Sequence, residues 1–148
     1  MNNGEKRRTE DYEMTIIVPV YNEVDNMERV EGKMSDYLLK ASIKSCVLFV
    51  NDGSTDGSLD RIKEICHRNH DMLYISLKKN SGLSTAMKAG IDSTASRLVG
   101  YIDADLQTDP EDFNKLLEYA SEYQLVSDIR ANRKDSAFKR LQSKIANN

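Results

Sequence analysis

The sequence has no tryptophan and, among 148 residues, only two prolines, two cysteines and two histidines. Two cysteines cannot build a disulfide scaffold, and a chain this long buries a sizeable core without staples. Cys46 lies in an apolar run and Cys66 in a helical pattern, which suits core thiols in a reducing compartment. Neither has metal-ligand spacing. His67 and His70 stand at i, i+3 among polar residues near a helix end and read as a solvated face, which argues against zinc and nucleophile–His catalysis. Long apolar runs are missing too: residues 16–20 and 46–50 are the longest, well short of the ~20 residues that span a bilayer. The mean hydropathy is -0.60. Residues 1–13 lack the apolar stretch of a secretory signal, so the expected location is cytoplasmic. Also absent are G-x-G-x-x-G and G-x-x-x-x-G-K-[ST], which removes the main support for dinucleotide and P-loop sites.

What is present begins with an uneven charge. The formal net charge is -3, yet residues 130–148 carry six basic residues (Arg130, Arg133, Lys134, Lys139, Arg140, Lys144) against one acid, Asp135. The body before them is therefore acidic, which argues against general nucleic-acid binding. The basic tail leaves open a local contact with phosphate or an anionic membrane surface.

Short β-rich runs alternate with helical periods. Strands are expected at 14–20, 46–50, 73–77 and 98–102, with a fifth at 125–127. Between them fall helices at 26–40, from Leu59 through Cys66, and at 83–95. Asp109 and Pro110 open another helix as N-cap and first-turn proline, with Phe113, Leu116, Leu117 and Ala120 on its apolar stripe. This pattern implies an α/β fold with a mostly parallel sheet and helices on both faces. The expected organisation is a disordered segment 1–13, a domain at 14–129, and a basic segment with an amphipathic helix at 130–148.

In such a sheet, ligands bind outside the carboxyl ends of the strands. Asp103 and Asp105, in YIDADLQ, follow the fourth strand; in extended backbone, positions i and i+2 face one side, and Gln107 continues that parity. Two carboxylates and an amide oxygen make an incomplete shell for Mg²⁺ or Mn²⁺, to be finished by substrate phosphates and water. The alternative is a surface turn with a helix cap. Asp52, in NDGSTDGS after the second strand, either shapes a tight turn or accepts hydrogen bonds from a nucleobase or ribose. With no Gly loop to cradle phosphates, a bound diphosphate would need a metal, so the two readings reinforce each other. Arg130 and Arg133 offer planar donors to phosphate, although their spacing alone favours a solvated stretch. Phe138, Leu141 and Ile145 fit either a membrane-surface helix or one packed on the domain.

TIIVPVYNE, FVNDGSTDGS and GYIDADLQTDPE, in this order and at these spacings, together resemble family 2 glycosyltransferases of the GT-A fold, a Rossmann-like nucleotide-diphospho-sugar transferase architecture. DADLQ-x-x-PE and the segment IRANRKDSAFKRLQSKIANN resemble the branch that glycosylates polyprenyl phosphates, including dolichyl-phosphate mannosyltransferase and undecaprenyl-phosphate glycosyltransferases. The likeness covers about residues 14–148. It implies that Pro19, Tyr21 and Glu23 border the base and Asp52 bonds it, with Asp103 at the ribose and diphosphate. Asp105 and Gln107 would hold the metal, while Arg130, Arg133 and, more weakly, Ser136 would face donor or acceptor phosphate. The helix at 138–146 would lie against the membrane. Asp128 stands where the family usually has glycine, and family domains continue past this point, so the chain reads as a C-terminally truncated form.

The implied reaction is inverting sugar transfer from a UDP- or GDP-sugar to dolichyl or undecaprenyl phosphate. The alternatives are a GT-A transferase acting on a sugar hydroxyl and a non-catalytic nucleotide-sugar binding module. An exposed sheet edge keeps a homo-oligomer open.

Overall fold

The computed structural model describes residues 9–127. Along them run β1 (Met14–Val20), α1 (Met27–Lys40), β2 (Ser45–Asn51), α2 (Ser58–Arg68), β3 (Met72–Ser76), α3 (Leu83–Asp92), β4 (Leu98–Tyr101) and α4 (Asp112–Leu117). Single 3-10 turns occupy Thr9–Asp11 and Val24–Asn26. Every strand pair is parallel, in the order β3-β2-β1-β4. Met14 pairs with Ser45 on one side and Leu98 on the other, and Val47 pairs with Met72.

The continuous apolar runs of β1 and β2 follow from burial on both faces. On one face Ile16, Val18 and Val20 meet Met27, Val30, Met34 and Tyr37 of α1, Ile62 and Ile65 of α2, and Phe113 of α4. On the other, Ile17, Leu48 and Val50 meet Ala86 of α3. The chain steps outward from β1 through β2 to β3, then returns across β1 to β4. Keeping the same crossover hand while reversing direction moves α3 to the opposite face. There it packs close: a Cβ on Gly90 would come within 2.8 Å of Ile17 Cγ2 and 3.2 Å of Val50 Cγ2.

Four expectations change at their edges. Helix α3 stops at Asp92 instead of 95, because the residues after it enter a hydroxyl network at the amino end of the sheet. Thr94 donates to Thr15 Oγ1 (2.8 Å), which is also 2.7 Å from Ser96 Oγ. Ala95 N donates to Thr9 Oγ1 and Ser96 Oγ to the Thr9 carbonyl. Thr9 through Asp11, assigned from sequence to a disordered segment, is thus a buried-edge turn tied to the α3–β4 connection. Helix α4 ends at Leu117, before Ala120. Residues 125–127 form no strand: they border β4 without ladder bonds, and Leu125 is 87% exposed. Three residues offer too short a ladder to define one.

Cys46 is buried, and burial pushes its thiol up to about 11, so it is an inert core group; Cys66 is half-buried, and neither forms a disulfide among the described residues. His67 and His70 are exposed.

Candidate nucleotide-diphosphate site

The order β3-β2-β1-β4 places the reversal of winding between β1 and β4, where a crevice opens at the carboxyl ends. β1 runs to Val20, but its pairing with β4 ends at Ile17 opposite Tyr101, followed by one bond from Ile102 N to the Ile17 carbonyl (3.2 Å). Polar groups of Ile17 face β4 and, by alternation, so do those of Pro19, just past the end of that ladder. A proline is tolerated there because no ladder bond asks for its missing N–H. The unpaired end of β1 leaves a notch, and the residues after β4 turn into it.

That turn is Asp103–Gln107. Strand alternation has stopped at Tyr101, so the i, i+2 argument for the two carboxylates does not hold; a tight reversal brings them together instead. Leu106 sits at φ 50, a left-handed conformation uncommon for a leucine, closed by Leu106 N to the Asp103 carbonyl (3.1 Å). Gln107 N donates to Asp105 Oδ1 at 3.0 Å, and the Leu106 side chain packs on the main core. Two further restraints come from outside the turn: the Tyr101 hydroxyl donates to Asp103 Oδ1, and the Arg29 guanidinium donates to the Asp105 carbonyl.

NDGSTDGS behaves as a lacing between the β1–α1 and β2–α2 loops. Asn22 N donates to Ser54 Oγ (3.1 Å), Thr55 N to Asn22 Oδ1 (2.9 Å) and Val24 N to Asp56 Oδ2 (3.1 Å). Glu23 N donates to Ser58 Oγ (2.9 Å), whose own proton goes to Asp56 Oδ1 (2.6 Å). Desolvation would raise the Asp56 carboxyl, but donors from Ser58 and Val24 outweigh it and hold the group below its usual value. Asp52 is 4% exposed, and its two oxygens accept Ser81 N (2.8 Å) and Gly82 N (2.9 Å). Gly53, at φ +67, lies so close to the next loop that a Cβ would stand 2.3 Å from the Lys79 carbonyl carbon. The loops after β1, β2 and β3 are therefore one hydrogen-bonded unit.

These loops and the Asp103–Gln107 turn enclose a cleft of about 270 Å³. Pro19, Tyr21, Glu23, Asp52, Asp103 and Asp105, six residues singled out from sequence, all line it. Gln107 does not; it is exposed beside Asp105. Arg130, Arg133, Ser136, Asp128 and the expected helix at 138–146 lie outside the described residues. Asn80, Gly82, Leu83 and Ala86 also line the cleft, brought in by the Asp52 bonds. None of these four was singled out from the sequence. A larger hollow, about 420 Å³, runs along β4 and α4 and shares Asp103 with the cleft. It also carries Asp109 and Asp112, but it lies along the flank of β4, whereas the smaller cleft joins the ends of β1 and β2 to the residues after β4 at the sheet's reversal point, where ligands bind in such folds.

The donor set suits a hard divalent cation that keeps ligand sites for phosphate. Asp103 and Asp105 each offer carboxylate oxygen, and among the described residues no group of three or more His, Cys, Asp or Glu could hold an ion alone. No described helix is long and apolar enough to cross a membrane.

A parallel sheet wound in this way, with two carboxylates at its reversal point, defines an α/β nucleotide-sugar transferase architecture of the GT-A type, which solved structures share. PcManGT, a mannosyltransferase from Pyrobaculum calidifontis in complex with GDP-Man and Mn²⁺, superposes with a TM-score of 0.64 at 21% identity, over 79% of this chain and 34% of that one. S. aureus TarS 1-349 in complex with UDP gives 0.58 at 18% identity, over 84% and 38%. The chain belongs to glycosyl transferase family 2, whose model matches residues 15–147. It is 32% identical over 144 residues to the undecaprenyl-phosphate 4-deoxy-4-formamido-L-arabinose transferase of Pectobacterium atrosepticum, covering 90% of this chain and 42% of the relative. The Proteus mirabilis transferase of the same name is 33% identical, with the same coverage. An uncharacterized glycosyltransferase of Synechocystis is 34% identical over 122 residues, 82% of this chain and 38% of that one. The chain thus spans about two-fifths of the length of these relatives.

Proposed function

We propose that this chain carries the donor site of an inverting glycosyltransferase that moves a sugar from a UDP- or GDP-sugar to a polyprenyl phosphate at the cytoplasmic face of a membrane. The observation that carries the reading is the convergence of Asp103 and Asp105 with Pro19, Tyr21, Glu23 and Asp52 in one cleft at the sheet's reversal point. The relatives named undecaprenyl-phosphate transferases support the acceptor class.

Tyr21, 44% exposed, and Glu23 border the base. Asp52 accepts a base N–H while keeping its bonds to Ser81 and Gly82, since a carboxylate has about four lone-pair positions. Asp103 accepts a ribose hydroxyl. Asp105 would hold a Mg²⁺ or Mn²⁺ ion, with Gln107, exposed next to the cleft, as the second candidate ligand, and the ion would supply neutralisation of the donor diphosphate and of the charge that develops as it leaves. Arg130, Arg133 and Ser136, outside the described residues, are assigned to the acceptor phosphate by their chemistry and by the family motif. That phosphate, with a second pKa near about 6, is largely dianionic at neutral pH and needs no side-chain base. Its oxygen forms the new bond to the anomeric carbon on the face opposite the diphosphate as the old C–O bond breaks, which inverts the centre.

Calorimetric titration of UDP, GDP and their common sugar conjugates, with Mn²⁺ or Mg²⁺ and then EDTA, tests the site. Metal-dependent binding is expected for one base family and is expected to vanish in Asp105→Ala. Undiminished metal-dependent binding by that variant defeats the assignment. Transfer of labelled sugar to undecaprenyl phosphate in micelles, but not to a saccharide, is the expected acceptor result.

A further inference from the structure

The Asp103–Gln107 turn holds a left-handed leucine in its middle, and most of its restraints are local. Arg29 is different. It sits on α1, 76 residues from Asp105, and does not line the cleft, yet its guanidinium donates to the Asp105 carbonyl. The choice of atom matters. An arginine on the Asp105 carboxylate would compete with a cation for the same oxygens. On the carbonyl it fixes the peptide plane that precedes Leu106 and leaves the carboxylate charge available.

We propose that Arg29 is a positioning residue for the cation-binding turn: by anchoring the Asp105 carbonyl to α1 it keeps Leu106 in its left-handed conformation and the Asp105 carboxylate aimed into the cleft. This deepens the donor-site reading and rests on it for the identity of the ligand, but not for the ordering of the turn. The Leu106 side chain, packed on the core, and the Gln107 N to Asp105 Oδ1 bond then complete a turn held at its carbonyl, its side chain and its carboxylate. Groups that orient a metal ligand without touching the metal typically change affinity by about 10- to 100-fold.

Two measurements on the full chain test this, with Arg29→Ala, Arg29→Lys and Asp105→Asn. The first is Mn²⁺ affinity from the free-ion EPR signal, in the presence of whichever of UDP or GDP binds. Arg29→Ala is expected to weaken Mn²⁺ by about tenfold, with nucleotide affinity in EDTA and the melting temperature unchanged. Arg29→Lys is expected to recover part of the loss. The second is amide hydrogen exchange at Leu106 and Gln107, expected to speed up in Arg29→Ala with or without Mn²⁺. If wild type binds Mn²⁺ and Arg29→Ala binds it equally well, or if exchange at the turn is unchanged, the inference is overturned. If wild type binds no Mn²⁺ yet Arg29→Ala still loosens the turn, the ordering role stands and the donor-site reading falls.

Discussion

Asp56 does not line the cleft, yet it helps fix the backbone of a residue that does. Through the Ser58 hydroxyl it reaches Glu23 N, and directly it holds Val24 N. Against desolvation, donors from Ser58 and Val24 hold its carboxyl below the ordinary carboxylate range. A depressed folded value contributes stability that is present above the unfolded pKa and is lost as pH falls through the folded one. Asp56→Asn is therefore expected to lower the melting temperature at pH 7 and to approach wild type in strong acid; a deficit equal at both pH values would refute this. Tyr37 is the reverse case. It is fully buried, its ring packs 5.8 Å from that of Phe113, and its hydroxyl has no hydrogen-bond partner. Burial raises the phenol, an effect only partly offset by the nearby Ser45 hydroxyl, whose own proton goes to the Ile43 carbonyl (2.9 Å). Tyr37→Phe removes an unsatisfied buried group and keeps the ring contact, so thermal unfolding is expected at the same or a higher temperature.

Loops, more than helices, set the site. Gly53 lets the loops after β2 and β3 touch, and no other residue fits: its φ is +67 and a Cβ would meet Lys79 and Asn80 backbone at 2.3 to 2.6 Å. Gly53→Ala is expected to cost about 2 kcal/mol or more in denaturant unfolding, from left-handed strain plus displaced backbone. It should weaken nucleotide binding as well, because Asp52 loses its register with Ser81 and Gly82. Nucleotide affinity equal to wild type in a destabilised Gly53→Ala would separate the loop contact from the site. The strands were legible in the sequence because β1 and β2 are apolar on both faces. The helices were legible through their single buried stripes, as in Val30, Met34 and Tyr37 of α1. The Asp103–Gln107 turn was not, since nothing in YIDADLQ announces that Leu106 adopts positive φ.

Across the whole molecule the two sheet faces are unequal. Among the described residues three helices cover one face, while α3 alone packs on the other, where Val99 and Tyr101 stay 45% and 39% exposed. β1 and β2 are paired on both sides; β3 and β4 each have a free edge among the described residues. Amide exchange is thus expected to be slowest in β1 and β2 and faster in β4, which opens without breaking the β1–β2 and β2–β3 ladders. Uniform protection across all four strands would contradict this. The cleft lies between β1, paired on both sides, and the residues after β4, paired on one, so faster exchange is expected on the wall that carries the carboxylates of the turn.

Sequence alone determined the alternation of strand and helix, the parallel sheet, and six of the residues that meet in the cleft. It could do so because apolar periodicity records which faces are buried, because polar residues at strand ends such as Asp52, Asp103 and Asp105 gather at one edge of a parallel sheet, and because the resemblance to the family motifs implied Pro19, Tyr21 and Glu23. Only the tertiary structure decided how the carboxylates converge, that Asp52 is held by the α3 entry, and that Arg29 reaches the Asp105 carbonyl. The first depends on the left-handed Leu106, which no residue type in YIDADLQ announces; the other two depend on contacts between positions 29 to 76 residues apart, and hydrogen bonds at such separations leave no local pattern in a single chain.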